Sequence, residues 1–304
     1  MRTKLTPTLI VFIFLLDFPA TCLGAYTVKF LHVLSIYSDG KGIGLKQPMG
    51  VACPNNGFMI VSDTGNARLL RFTFQDKKIG SEVDIIKIPQ LPFPLRVKTN
   101  TDNDIFVLDG QHRRIVRLSP EGKFKDFIDP KGLPNPAEFV PRSFYVDIND
   151  DIYILDILSG RVIVLNPQKA YLWHIDFPAG YGFISDVTVD FKGNVLIVDS
   201  VNATVYIASK DSKRFLPLTD SLKEYMRFPT NITSDSSGRL YLVDRHGGSI
   251  IILGQDGSYL GRRSGFGWKE GFLNYPSQMC IDKKGNLFIA DTNNNRVQIF
   301  EMSE

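Results

Sequence analysis

The chain has 304 residues, 43% hydrophobic and 22% charged, with a formal net charge of +3. This is the composition of a packed globular protein and excludes a disordered chain, and the charge is too small to point by itself to nucleic acid or an anionic membrane. The length fits two average domains or one large all-β domain, so the order of predicted elements has to choose between them.

The first two dozen residues stand apart. Basic Arg2 and Lys4, an apolar run over 9–16 and small residues over 21–25 read as a secretion signal that ends at Gly24. The run is well short of the ~20 apolar residues that span a bilayer, and Asp17 interrupts it. Lipid attachment at Cys22 is the lesser alternative, because Pro19 and Thr21 stand where a bacterial lipobox carries an aliphatic and a small residue. Export to a periplasm or the extracellular space is expected, with no transmembrane segment in the mature chain.

Self-similarity then organises residues 25–304 into a single domain. An apolar strand ending in aspartate recurs at Asp63, Asp109, Asp156, Asp199, Asp244 and Asp291, spaced by 46, 47, 43, 45 and 47 residues. Fifteen residues before each aspartate stands Pro48, Pro94, Pro141, Ile184, Pro229 or Pro276. Nine residues after that position comes Gly57, Asn103, Asp150, Gly193, Gly238 or Gly285, types that tolerate positive φ in a tight turn. Five residues after the aspartate come Arg68, Arg114, Arg161, Thr204, Ser249 and Arg296. The copies occupy 46–73, 92–118, 139–165, 182–208, 227–253 and 274–300.

Each copy predicts three strands, and a less regular fourth strand follows in five of them. Four antiparallel strands at this period are the signature of a β-propeller blade. The sixth copy stops after its third strand, whereas the segment 28–37 stands alone before the first. Pairing the two closes the ring and removes two exposed edges.

The order of Pro, Asp-x-x-Gly, apolar strand, Asp-Thr-x-Asn-x-Arg and apolar strand, most nearly complete at 276–300, resembles the NHL repeat. The resemblance covers 26–304 and implies an all-β, six-bladed propeller of NHL repeats. The fourth copy departs furthest, lacking both Pro and Arg. A ubiquitin-ligase role, which the family could suggest, lacks support from any RING, B-box or coiled-coil pattern.

Because the aspartates and Arg68, Arg114, Arg161 and Arg296 recur at symmetric positions, they read as turn scaffolding. Two places after the proline register stand Gly50, Arg96, Ser143, Asp186, Asn231 and Gln278, expected near the channel mouth. This mixed ring suits a bound polar group or a wet pore. Calcium-dependent lactonases on six-bladed propellers bring several carboxylate and Asn ligands to the axis, whereas this ring has one of each. Amidating lyases with NHL-like propellers hold zinc on histidines. Here His32 and His174 fall in outer strands and His112 and His246 in turns, with no convergent set. No cofactor is expected and no residue is assigned to catalysis.

The loops entering the first strands of blades one and six carry Lys41, Lys46, Arg262, Arg263, Phe266, Trp268 and Lys269. Basic groups beside aromatics suit an acidic protein segment or RNA, and in an exported protein RNA is not expected. The sequons at Asn202 and Asn231 matter only in a eukaryotic source, and Asn231 falls in an inner strand. Cys53 and Cys280 lie in first strands that closure makes neighbours. Their offsets differ in parity, so they either face each other in a disulfide or face apart. The expected function is a secreted, non-catalytic interaction module binding a protein or extracellular polymer through its loop face. The alternative is a hydrolase or lyase at the channel, lactonase-like or amidating-lyase-like.

Overall fold

The computed structural model describes residues 28–54, 57–134 and 138–303. The predicted signal over 1–24, Cys22 included, lies outside the described residues. Six four-stranded antiparallel sheets follow one another along the chain. Blade one consists of Gly50–Ala52, Phe58–Asp63, Arg68–Gln75 and Lys78–Ile86. The inner strands of blades two to six are Pro94–Thr99, Pro141–Val146, Ile184–Val189, Pro229–Ser234 and Met279–Ile281.

Each second strand is buried on both faces, which is why Ile105–Asp109, Ile152–Asp156, Val195–Asp199 and Leu240–Asp244 read as unbroken apolar runs. A sheet covered on both sides has no polar face to alternate with. The core is accordingly divided into six clusters, one at each contact between neighbouring blades. Between blades six and one, Met59, Val61, Leu70 and Phe72 pack against Phe288, Ala290, Val297 and Ile299.

The turn positions take the predicted backbone. Gly57, Asn103, Asp150, Gly193, Gly238 and Gly285 have φ of 80°, 64°, 63°, 83°, 87° and 80°. A second left-handed position, not predicted, falls four residues after each frame aspartate: Ala67, Arg113, Gly160, Ala203, Gly248 and Asn295, with φ between 52° and 64°.

The ring closes as expected. Lys29–Ile36 pairs antiparallel with Arg296–Ser303, Lys29 opposite Ser303, and becomes the outer strand of blade six. Antiparallel alternation gives the molecule two unlike faces. The upper one carries the turns between second and third strands and the loops entering each blade. The lower one carries the remaining turns. Among the described residues no helix is long and apolar enough to cross a membrane.

Candidate functional site

The frame aspartates are fully buried and bind backbone. One carboxylate oxygen accepts an N–H from the loop entering the same blade: Lys46 to Asp63 at 2.8 Å, Val140 to Asp156 at 2.9 Å and Asn274 to Asp291 at 2.7 Å. The other oxygen meets the arginine of the third strand, at 2.7 Å from Arg68, 3.1 Å from Arg161 and 2.7 Å from Arg296. The remaining blades compensate locally. In blade two Arg114 stays 3.9 Å from Asp109 and lies over the Phe127 ring, while His112 Nδ1 stands 2.6 Å from the same carboxylate. In blade five, where Ser249 replaces arginine, Arg262 comes in from the outer strand, 3.0 Å from Ser249 Oγ and 3.9 Å from Asp244.

In blade four, where Thr204 replaces arginine, no guanidinium pairs with the frame aspartate among the described residues. Asp199 instead accepts the N–H groups of Gly182, Phe183, Val201 and Asn202 at 2.7–3.0 Å and the Asn202 amide at 2.9 Å. Burial pushes its pKa up, but those backbone donors outweigh burial and hold it below the ordinary aspartate value. A depressed carboxylate pKa stabilises the fold above the unfolded value, near ~3.9, and that contribution is lost as pH falls through the folded value. Asp199→Asn should therefore cost stability at pH 7, and its deficit relative to the parent should shrink as urea titrations move below about pH 4. A pH-independent deficit would contradict this account.

The polar ring predicted for the channel is closed on itself. Ser143, Asp186, Asn231 and Gln278 are buried. Asp186 accepts from Ser143 Oγ, from the Asn231 amide at 2.5 Å and from Ile232 N–H at 2.8 Å. Asn231 Oδ1 accepts Met279 N–H at 2.9 Å, and the Gln278 side chain bonds both backbone groups of Val97 at 3.2 and 2.9 Å. Arg96 crosses from blade two to donate to Thr230 O at 2.5 Å, with Nη1 3.4 Å from Asp186. Gly50 completes the ring because a Cβ there would lie 2.2 Å from Leu95 O. Ser143, Asp186, Asn231 and Gln278 are thus bonded to one another or to backbone, whereas the buried Nη1 of Arg96 has no hydrogen-bond acceptor among the described residues. Next to them Lys98 lies over the Tyr145 ring at 5.3 Å. Burial lowers its pKa, with Asp186 opposing and Arg96 adding to the effect.

The histidines do not converge, and among the described residues no three His, Cys, Asp or Glu side chains meet in a metal-binding arrangement. Asn231 is engaged as above, and the Asn202 amide donates to Asp199 and to Gly180 O, so the fold occupies both sequon side chains. Cys53 and Cys280 face each other and are bonded, with Cα atoms 6.0 Å apart.

Of the predicted loop residues, Lys41, Lys46, Phe266, Trp268 and Lys269 are exposed on the upper face. Arg262 is drawn into the blade-five turn, and Arg263 bonds Val28 O. Between the outer strand of blade five, Tyr259–Arg263, and the inner strand of blade six, Phe266, Trp268, Phe272 and Tyr275 are 58%, 76%, 47% and 37% exposed. The loop beneath them is held from below. Arg296 donates to Lys269 O and Phe272 O at 2.8 Å each, Gln298 binds Gly271 N and Phe272 O at 2.8 and 2.7 Å, and Asn294 reaches Gly267 O at 2.9 Å. Leu273 is its buried anchor.

A lower-face concavity of about 900 Å³ was not predicted. Tyr145, Asp147, Asp151, Tyr153, Trp173 and Asp190 line part of it. Burial, then Asp147 and Asp190, push the Tyr145 hydroxyl up to about 12. Burial and the neighbouring Asp147 and Asp150 raise Asp151. Its rim aspartates Asp147, Asp190, Asp235 and Asp282 each accept two N–H groups of their own turns.

Fold and site together define a six-bladed β-propeller built on one repeated unit, its upper face bearing a tethered aromatic loop. Residues 273–300 match the NHL repeat family model. The chain is 32% identical over 155 residues to NHL repeat-containing protein 3 of Mus musculus, an alignment covering 49% of this chain and 40% of that relative. It therefore spans less than half the length of the curated relative. Among solved structures, a gluconolactonase from Xanthomonas campestris superposes with TM-score 0.68 at 13% identity, covering 91% of this chain and 90% of the other. A chain of a nidogen/laminin complex superposes with TM-score 0.56 at 19% identity, covering 72% and 81%. At these identities the likeness is one of fold.

Proposed function

We propose that the protein is an exported binding propeller that docks a protein ligand on the upper-face loop between blades five and six. The observation that carries this is the loop itself: four exposed aromatic side chains on a backbone fixed by Arg296, Gln298 and Asn294. Large aromatics in a preordered loop give contact area at small entropic cost, which is the usual make-up of an interface hot spot. Lys41, Lys46 and Lys269 are exposed on the same face and add positive charge suited to an acidic partner. The buried polar ring, in which Ser143, Asp186, Asn231 and Gln278 are bonded to one another or to backbone, favours this role over chemistry in the channel. A fold shared with a chain of a nidogen/laminin complex is consistent with it.

A photoreactive residue at 268, compared with one at 283 on the lower face, tests the assignment in the extracellular fraction. Crosslinks should concentrate at 268, and their yield should fall at least tenfold when Phe266 and Phe272 are changed to alanine. Equal capture at both positions would remove the basis for an upper-face docking site.

A further inference from the structure

Two arginine side chains at the upper end of the channel have no hydrogen-bond or ion-pair partner among the described residues. Arg142 follows Pro141 at the start of blade three's inner strand, where the register with the second strand shifts between Pro141 and Ser143. Arg142 is the bulged residue, and a bulge re-aims its side chain out of the ladder. Its guanidinium lies 5.1 Å over the Phe183 ring of blade four. Arg245 follows the frame aspartate of blade five and lies 5.7 Å over the Tyr275 ring of blade six. Phe183 and Tyr275 occupy the same place in the repeat, one residue before the register positions Ile184 and Pro276. Two cations thus rest on equivalent aromatics of blades four and six, and Arg96 reaches from blade two to Thr230 O in blade five.

The charges do not balance. Among the described residues Asp186 is the one carboxylate ion-paired with this group, and it already accepts from Ser143, Asn231 and the Ile232 N–H while standing 3.4 Å from Arg96. Burial first, and repulsion by Arg96 second, lower the pKa of both Arg142 and Arg245. The contrast with Arg68 is direct: two carboxylates, Asp63 and Asp39, take its Nε and Nη1 at 2.7 and 2.8 Å. Guanidinium forks left without acceptors and resting on aromatic rings are suited to a planar oxyanion.

We propose that Arg142 and Arg245 bind a carboxylate at the upper mouth of the channel, with Arg96 beneath them as a fixed positive charge. The carboxylate is an acidic side chain or the C-terminus of the ligand docked on the neighbouring aromatic loop, so the proposal rests on the upper-face reading. The arginines accept the anion without moving Asp186, whose bonds hold the inner strands together.

Titration calorimetry at low salt, with succinate as probe and inorganic phosphate in parallel, tests the site on the full chain. Succinate should bind the parent protein and bind R142Q/R245Q at least tenfold more weakly. K283Q/K284Q, which removes the same charge from the lower face, should bind it like the parent. Absence of succinate binding, equal weakening in both double variants, or binding of phosphate without succinate would each overturn the proposal. W268A should retain succinate. If it does while crosslinks at the two faces are equal, the carboxylate site stands and only the docking assignment falls.

Discussion

Replacing Arg296 with methionine should lower the unfolding free energy by about 3–5 kcal/mol, read from urea titration at neutral pH. The arginine is 2% exposed and its partner Asp291 fully buried, so removing the guanidinium leaves a buried carboxylate short of its cation. It also removes one of the two donors to each of the Lys269 and Phe272 carbonyls, leaving the Phe272 N–H on the first and Gln298 on the second, and so loosens the aromatic loop. The equivalent change at Arg114 is the control. That side chain is 34% exposed and 3.9 Å from Asp109, which His112 already serves, so its loss should cost below about 1 kcal/mol. Equal losses at the two sites would mean that the frame arginines act through bulk and not through the ion pair.

The second large effect belongs to the Cys53–Cys280 bond. It joins first strands of blades one and six across a sequence separation of 227 residues, so reduction frees a very long loop in the unfolded chain. Changing both cysteines to serine should cost about 2–4 kcal/mol, on the chain-entropy account of crosslinks. Reductant should reproduce that loss in the parent protein and leave the double variant unmoved. Thiol titration giving the same count with and without reductant would refute the pairing.

Much of the architecture was legible because it rests on residues with strong local meaning. Proline before an inner strand, a turn-forming residue nine places on and aspartate at the end of the second strand mark every blade but the fourth without a gap. The second left-handed position stayed hidden, since Ala67, Arg113 and Ala203 are not types that announce positive φ. The cysteine pairing could not be decided by counting. Cys53 falls just past the strand Gly50–Ala52, where a two-residue alternation no longer fixes direction.

The site was less legible for a physical reason: its members are not register equivalents. Arg142 is one residue past a proline and Arg245 one past an aspartate, so alignment by repeat separates them. Arg262 was placed with the docking loop because only the folded chain brings it beside Asp244, in the space left by Ser249. The lower concavity was missed because its aspartates recur in most blades as turn caps, and a feature shared by most repeats carries no contrast along the sequence.

The pairing of Lys29 with Ser303 has a bearing on how the molecule can be held. Entry and exit of the described chain lie side by side at the lower rim, next to Val28 and Met302 in the wall of the concavity. A tether joined at either end would pull on one short arc of the perimeter, opposite the aromatic loop. Attached to a sensor chip, a bead or a fusion partner by that arc, the propeller would stand like a cup on its base, with its rim of arginines and aromatics turned outward.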